Sequence, residues 1–113
     1  MAAPTAAARP SPPAFEATLT APTHTPRANA AWRYAIHVQD AQRRRLAATA
    51  EIQFLFAGQV VGRDTPPTHR FVGNWRDTIR WPRRSVGFPL VFRAVVTTHA
   101  GSRKLDYPVQ VRP

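Results

Sequence analysis

The sequence predicts an all-β domain in which two antiparallel sheets pack face to face, with about seven strands in all. The main observation is that four segments alternate apolar and polar residues, at positions 32–40, 46–57, 88–98 and 104–111. A period of two is typical of a strand with one buried face. The second observation is that proline and glycine recur between these segments. Both residues end strands, and proline argues against long helices.

The first half of the chain provides three of the expected strands. Residues 15–20 alternate in the same way and stop before Pro22, which predicts a short edge strand. Residues 32–40 and 46–57 are longer and are separated only by the polar turn 41–45. Because so short a connection usually joins antiparallel neighbours, these two strands are expected to form a hairpin.

The second half begins with weaker signals. Residues 60–63 predict a short connecting strand that a proline-rich loop closes. Two short segments, 70–72 and 76–81, flank Gly73 and Asn74, a pair that favours either a two-residue hairpin turn or a bulge. The chain then finishes with a hairpin made of the last two alternating segments.

This order of elements resembles the bacterial immunoglobulin-like and fibronectin-III-like domains of secreted and cell-envelope proteins. The resemblance covers residues 15–113 and includes the final strand, where Tyr107, Val109 and Val111 share one side. It implies an immunoglobulin-like β-sandwich that acts as a non-enzymatic interaction or structural module. It also implies a secreted or envelope location, with the cytoplasm as the alternative.

The N-terminal segment, residues 1–14, is dominated by alanine and proline. It is too poor in large apolar side chains to offset the entropy of ordering it, so we expect a disordered tail or tether. Either a semi-rigid spacer or a remnant without function fits this composition. The segment lacks the pattern of a signal peptide, and no stretch reaches the roughly 20 apolar residues of a membrane helix. Met1 also suits a fragment cut from a longer precursor.

The chain is strongly basic, with 16 Lys and Arg against 6 Asp and Glu and a formal net charge of +10. Such a charge attracts polyanions, although arginine-rich and alanine-rich composition also follows from GC-rich codons without selection for binding. The loops 41–45, 64–69 and 99–103 are expected to meet at one end of the sandwich as a basic tip, together with His99. The candidate anion-binding residues are Arg43, Arg44, Arg45, Arg63, His69, Arg70, Arg103 and Lys104.

A second hypothesis is a protein contact. Leu55, Val91 and Val95 are expected on the outer face of one sheet, where a partner would cover them, although single surface apolar residues are common. An edge strand, 15–20 or 104–111, offers a second route to a partner. Trp75 follows the Gly73 turn and either is exposed as a contact residue or folds back over the sheet edge, whereas Trp32 and Trp81 are expected in the core.

Nothing in the sequence indicates catalysis, a metal or a cofactor. There are no cysteines, and the four histidines have no ligand spacing or acidic neighbours in a ligand pattern. The serines lie in the tail and in turns, without a nucleophile motif. Glu51 is expected to pair with Arg93 on a neighbouring strand, which is a structural role.

Overall fold

The computed structural model describes residues 15–113, which form two antiparallel sheets packed face to face. A three-stranded sheet has the order β1-β2-β5, and a four-stranded sheet has the order β4-β3-β6-β7. The strands are β1 (Phe15–Thr20), β2 (Ala31–Asp40), β3 (Ala47–Phe56), β4 (Gln59–Val72), β5 (Asn74–Arg80), β6 (Pro89–Thr98) and β7 (Gly101–Gln110). This confirms the predicted immunoglobulin-like sandwich of seven strands. The expected tail, residues 1–14, lies outside the described residues.

The core forms where the alternating apolar residues of the two sheets meet. Phe92 on β6 is fully buried, and its ring contacts those of Trp32 and Tyr34 on β2, with centroids 5.1 and 4.8 Å apart. Trp32 and Trp81 are each 2% exposed and pack edge to face, so their predicted core positions are confirmed. Each aromatic ring buries a large apolar area, and together these rings dominate the packing.

The expected hairpin between the second and third strands is wrong. β2 belongs to the three-stranded sheet and β3 to the four-stranded sheet, so residues 41–46 cross from one sheet to the other. Both strands carry strongly apolar faces, and the two faces bury each other only when they oppose one another across the sandwich. The Asp40 side chain holds the crossing, because Oδ1 accepts bonds from the backbone N–H groups of Gln42 and Arg44.

The segments expected at 60–63 and 70–72 belong to one long strand, β4. Residues 64–67 have no partners on β3 and form a bulge, because Glu51 pairs with Thr68 while Gln53 already pairs with Arg63. Gly73 then takes the chain into the other sheet at a φ of 78°, so the link from β4 to β5 is neither a hairpin nor a bulge.

The sandwich has two open sides along which the edges of the two sheets meet, here called seams, and the two seams are closed in different ways. Beside β7, the loop between β1 and β2 closes the seam with backbone hydrogen bonds, including Gln110 N to His24 O and Arg112 N to Pro26 O at 2.8 and 2.9 Å. On the other side β4 and β5 are both edge strands, and side chains fill the space between them. We call this second side the open seam. Within residues 15–113, no helix has the length and apolar character needed to cross a bilayer.

Candidate functional site

The middle of the open seam combines aromatic and polar side chains. The rings of His69 on β4 and Trp75 on β5 stack with centroids 4.6 Å apart, which joins the two sheets. Trp75 Nε1 donates a 3.0 Å hydrogen bond to the Tyr34 hydroxyl oxygen on β2. Trp75 is therefore half-buried against the core, which agrees with the alternative that it folds back over the sheet and not with an exposed position.

Three metal-ligand side chains meet beside this stack. Asp64, His69 and Asp77 each present one ligand atom, and these atoms all lie within 4.8 Å of one another. His69 Nε2 and Asp64 Oδ2 are 3.0 Å apart, with side chains only 9% and 19% exposed. We call these residues the polar cluster. His69 therefore does have acidic neighbours, contrary to the sequence interpretation.

Charge in the polar cluster affects the tyrosine behind it. Burial raises the pKa of the Tyr34 hydroxyl far above its ordinary value, and the carboxylates of Asp77 and Asp64 raise it further, while the hydrogen bond from Trp75 acts in the opposite direction. Tyr34 is 1% exposed. It therefore stays neutral, with its O–H available as a donor.

Near the start of β4 and the end of β5, the open seam widens into a groove of about 670 Å³. The rings of Phe56 and Phe88 meet at its mouth, edge to face and 5.6 Å apart. We call this space the aromatic groove. Its lining includes Phe54, Phe56, Val61, Thr78, Ile79, Trp81 and Phe88, with Arg63, Arg80 and Arg84 at polar positions.

Exposed apolar surface concentrates at this end of the molecule. Five large hydrophobic residues are exposed within the described part of the chain, and three of them, Phe56, Val61 and Phe88, line the groove. Val60 pairs with Leu55 and so belongs to the outer face of the four-stranded sheet. The fifth, Val72, is at the opposite end of β4. Clustered apolar exposure of this kind marks a binding surface more often than scattered exposure does.

The groove also carries an unpaired donor. Trp81 lines it and is 2% exposed, yet the indole N–H has no acceptor within residues 15–113. A buried donor without an acceptor costs roughly 1–3 kcal/mol.

The structure separates the predicted basic residues. Arg43, Arg44 and Arg45 are all exposed on the turn after β2, at the end of the sandwich that also holds His99. We call this turn the arginine turn. Arg44 pairs with Asp40 at 3.2 Å, and Arg45 packs over Gly73.

Two of the other candidates, Arg63 and His69, do not join the arginine turn, so the expectation that all eight residues form one basic tip is wrong. Arg63 pairs with Glu51 and lies at the groove, and His69 lies in the polar cluster, because residues 64–67 form a bulge partway along β4 rather than an end loop. Arg103 packs on the Phe15 ring at 4.9 Å, and Phe15 pairs with Asp40, so Arg103 lies at the same end as the arginine turn. Arg70 and Lys104 are exposed on strands β4 and β7.

The outer face of the four-stranded sheet carries the predicted protein contacts. Leu55 is 3% exposed because its own chain covers it, so the expectation that a partner covers Leu55 is wrong. Val91 pairs with Leu55 and Val95 with Glu51, and both valines are half-buried. Glu51 does not pair with Arg93, which instead binds Asp106 at 2.6 and 2.9 Å.

One solved structure with a similar fold is the CARDB domain of a protein from Pyrococcus furiosus, crystallised in complex with di-metal ions. It superposes with a TM-score of 0.55 over 86% of both chains, at 13% sequence identity. This likeness shows the immunoglobulin-like fold. No protein-family model matches the sequence, and no curated protein matches it.

Proposed function

We propose that this domain is a non-catalytic interaction module that binds an extended, acidic protein segment in the aromatic groove. The observation that carries the proposal is the clustering of three exposed hydrophobic residues in the groove, two of them phenylalanines in contact. The fold supports a module of this kind, because its solved neighbour is also an immunoglobulin-like domain.

The groove fits an extended chain for a geometric reason. β4 pairs only with β3, so its other edge has no strand partner among the described residues. An extended peptide adds to such an edge through backbone hydrogen bonds, and its alternate side chains enter the neighbouring pocket. The aromatic groove, lined by Phe56, Phe88 and Trp81, takes those side chains.

The positive charge of the aromatic groove favours acidic partners. Three arginines line the groove against one acidic residue, Asp64, in a chain of net charge +10. Arg63 pairs with Glu51, and Arg80 donates to Asn29 O at 2.8 Å. Arg84 makes no hydrogen bond or ion pair within residues 15–113. It is therefore the arginine most available to a ligand carboxylate.

We also propose that the domain works in a secreted or envelope-associated protein, as the resemblance of its strand order to such domains implies. The native precursor's N-terminus tests this part separately. A signal peptide or lipobox upstream of this chain would support it, and a native cytoplasmic start at Met1 would contradict it.

The binding proposal is tested with a fluorescent eight-residue peptide that alternates leucine and glutamate. We expect saturable binding by anisotropy, weakened at least about tenfold by Phe88→Ser, since central aromatic anchors dominate interface energies. Val72→Ser is the matched control, because Val72 is equally exposed but lies outside the groove. Equal binding by both variants, or equal binding of a leucine and lysine peptide, would contradict the proposal.

A second candidate function is polyanion binding at the arginine turn. It is favoured by three consecutive exposed arginines, whose planar side chains suit phosphate and sulfate groups. Heparin and DNA retention across a salt series tests it, with Arg43, Arg44 and Arg45 replaced together by serine. Retention unchanged by this replacement would exclude the turn as the site.

A further inference from the structure

We propose that the polar cluster, Asp64, His69 and Asp77, binds one divalent transition-metal ion of the zinc class. The site bridges the open seam, because Asp64 and His69 belong to β4 while Asp77 belongs to β5 in the other sheet. It does not depend on the proposed function of the aromatic groove.

The spacing of the ligand atoms is close to what a metal requires. All three atoms lie within 4.8 Å of one another, and His69 Nε2 is already 3.0 Å from Asp64 Oδ2. Zinc holds nitrogen and carboxylate oxygen ligands at about 2.0–2.2 Å, so ligand atoms around it lie somewhat over 3 Å apart. A small side-chain movement of Asp77 completes the set.

The charge balance also calls for a cation. Two carboxylates and one imidazole meet in a half-buried place, where like charges are costly. Asp77 has no ion-pair partner within residues 15–113, although the chain has 16 Lys and Arg. A divalent ion would compensate both carboxylates.

The surroundings supply the outer contacts that metal sites need. Tyr34 is 1% exposed, and its hydroxyl oxygen accepts from Trp75 while its own proton has no acceptor within the described residues. This O–H is therefore a free donor on a side chain that Trp75, the stacking partner of His69, already contacts, and a metal-bound water would be an acceptor for it. The Trp75 ring fixes the His69 ring by stacking on it.

The types of ligand atom determine which metal ions the site prefers. Ca²⁺ and Mg²⁺ prefer sites made only of oxygen atoms, whereas an imidazole nitrogen with two carboxylates suits Zn²⁺, Co²⁺ or Ni²⁺. Three protein ligands leave a fourth position for water or a ligand group. The inference therefore predicts selectivity for transition metals over the alkaline-earth ions.

The test is titration of the tag-free chain with Zn²⁺ by calorimetry and with Co²⁺ by visible absorption. We expect one ion per chain and Co²⁺ d–d bands of a four- or five-coordinate site. His69→Gln and Asp77→Asn should each weaken Zn²⁺ binding at least about tenfold. His99→Gln is the matched control, since His99 is an exposed histidine outside the cluster.

Circular dichroism of each variant without metal shows whether it has folded. Should His69→Gln fail to fold, Asp77→Asn together with the Co²⁺ spectrum of the unmodified chain decides the question. Absence of Zn²⁺ binding by the unmodified chain, equal loss in the His99→Gln control, or Ca²⁺ binding as tight as Zn²⁺ binding would overturn the proposal.

Discussion

At the scale of single residues, the direction of each side chain was predictable, but its partner was not. Alternation along a strand is enough to assign Trp32 to the core, because the period of two does not depend on the neighbouring strand. A pair such as Arg93 and Asp106 depends on the register between β6 and β7, which the sequence pattern leaves open. This is why the expected Glu51–Arg93 pair was wrong.

Phe92 should be one of the most sensitive positions for stability. It is fully buried and contacts aromatic rings from both sheets, so Phe92→Ala leaves a cavity that the neighbours cannot fill. We expect a loss of about 3–5 kcal/mol in the free energy of unfolding, measured with urea. Phe88→Ala, at a position 48% exposed, should cost about 1 kcal/mol or less. Equal losses would contradict the core assignment.

The Arg93–Asp106 pair should make stability depend on acid pH. Hydrogen bonds from Arg93 hold the pKa of Asp106 below its ordinary value of 3.8, so the folded state binds fewer protons than the unfolded state. The stabilisation is therefore present above about pH 4 and is lost as pH falls through the lower folded pKa.

Asp106→Asn removes this contribution. We expect the variant to unfold more easily than the parent protein above pH 4, and the difference to shrink towards pH 2, as thermal unfolding at several pH values would show. Arg93→Gln should give the same profile, and the double variant should be no worse than either single one. A difference that is independent of pH would contradict the pair's role.

At the scale of elements, strand positions were predictable, but the assignment of strands to sheets was not. The bounds of β1 agree with the sequence prediction, because Pro22 stops the strand soon after its last residue. The crossings at residues 41–46 and at Gly73 look like hairpin turns in the sequence, since a short polar connection serves both purposes. The polar cluster was missed for the same reason, because only the crossing at Gly73 brings Asp77 opposite His69.

Gly73 carries the crossing from β4 to β5. Its N–H donates to Leu46 O at 3.0 Å and its carbonyl oxygen accepts from Val38 N at 2.8 Å, so it connects β2 to the end of the other crossing, just before β3. An added Cβ would lie 2.6 Å from Arg45 side-chain carbons, at a φ of 78° that disfavours alanine.

Gly73→Ala should therefore destabilise the domain by roughly 1–3 kcal/mol in chemical denaturation. Gly58→Ala is the matched control, because Gly58 has a φ of 80° and nothing within 4 Å of the added Cβ. It should show only the conformational cost, about 1 kcal/mol. If the two variants are equally stable, contact with Arg45 has no part in holding the crossing.

At the scale of the whole molecule, the two seams of the sandwich differ in how they are closed and in which side chains they expose. The loop after β1 closes one seam with backbone hydrogen bonds to the end of β7 and the residues that follow it. The open seam keeps the edge of β4, the polar cluster and the aromatic groove together on one side. Net charge alone indicated an anionic partner, but only the three-dimensional arrangement indicates where an acidic segment would bind.

The most direct test of this account is an amide NMR titration of the isotope-labelled chain with the leucine and glutamate peptide. We expect the largest shift changes at residues 60–65 and 78–88, along the edge of β4 and around the aromatic groove. The same peptide should leave the arginine turn and the outer face of the four-stranded sheet unchanged. Shift changes centred on the arginine turn, or spread evenly over the basic surface, would contradict the open seam as the binding site.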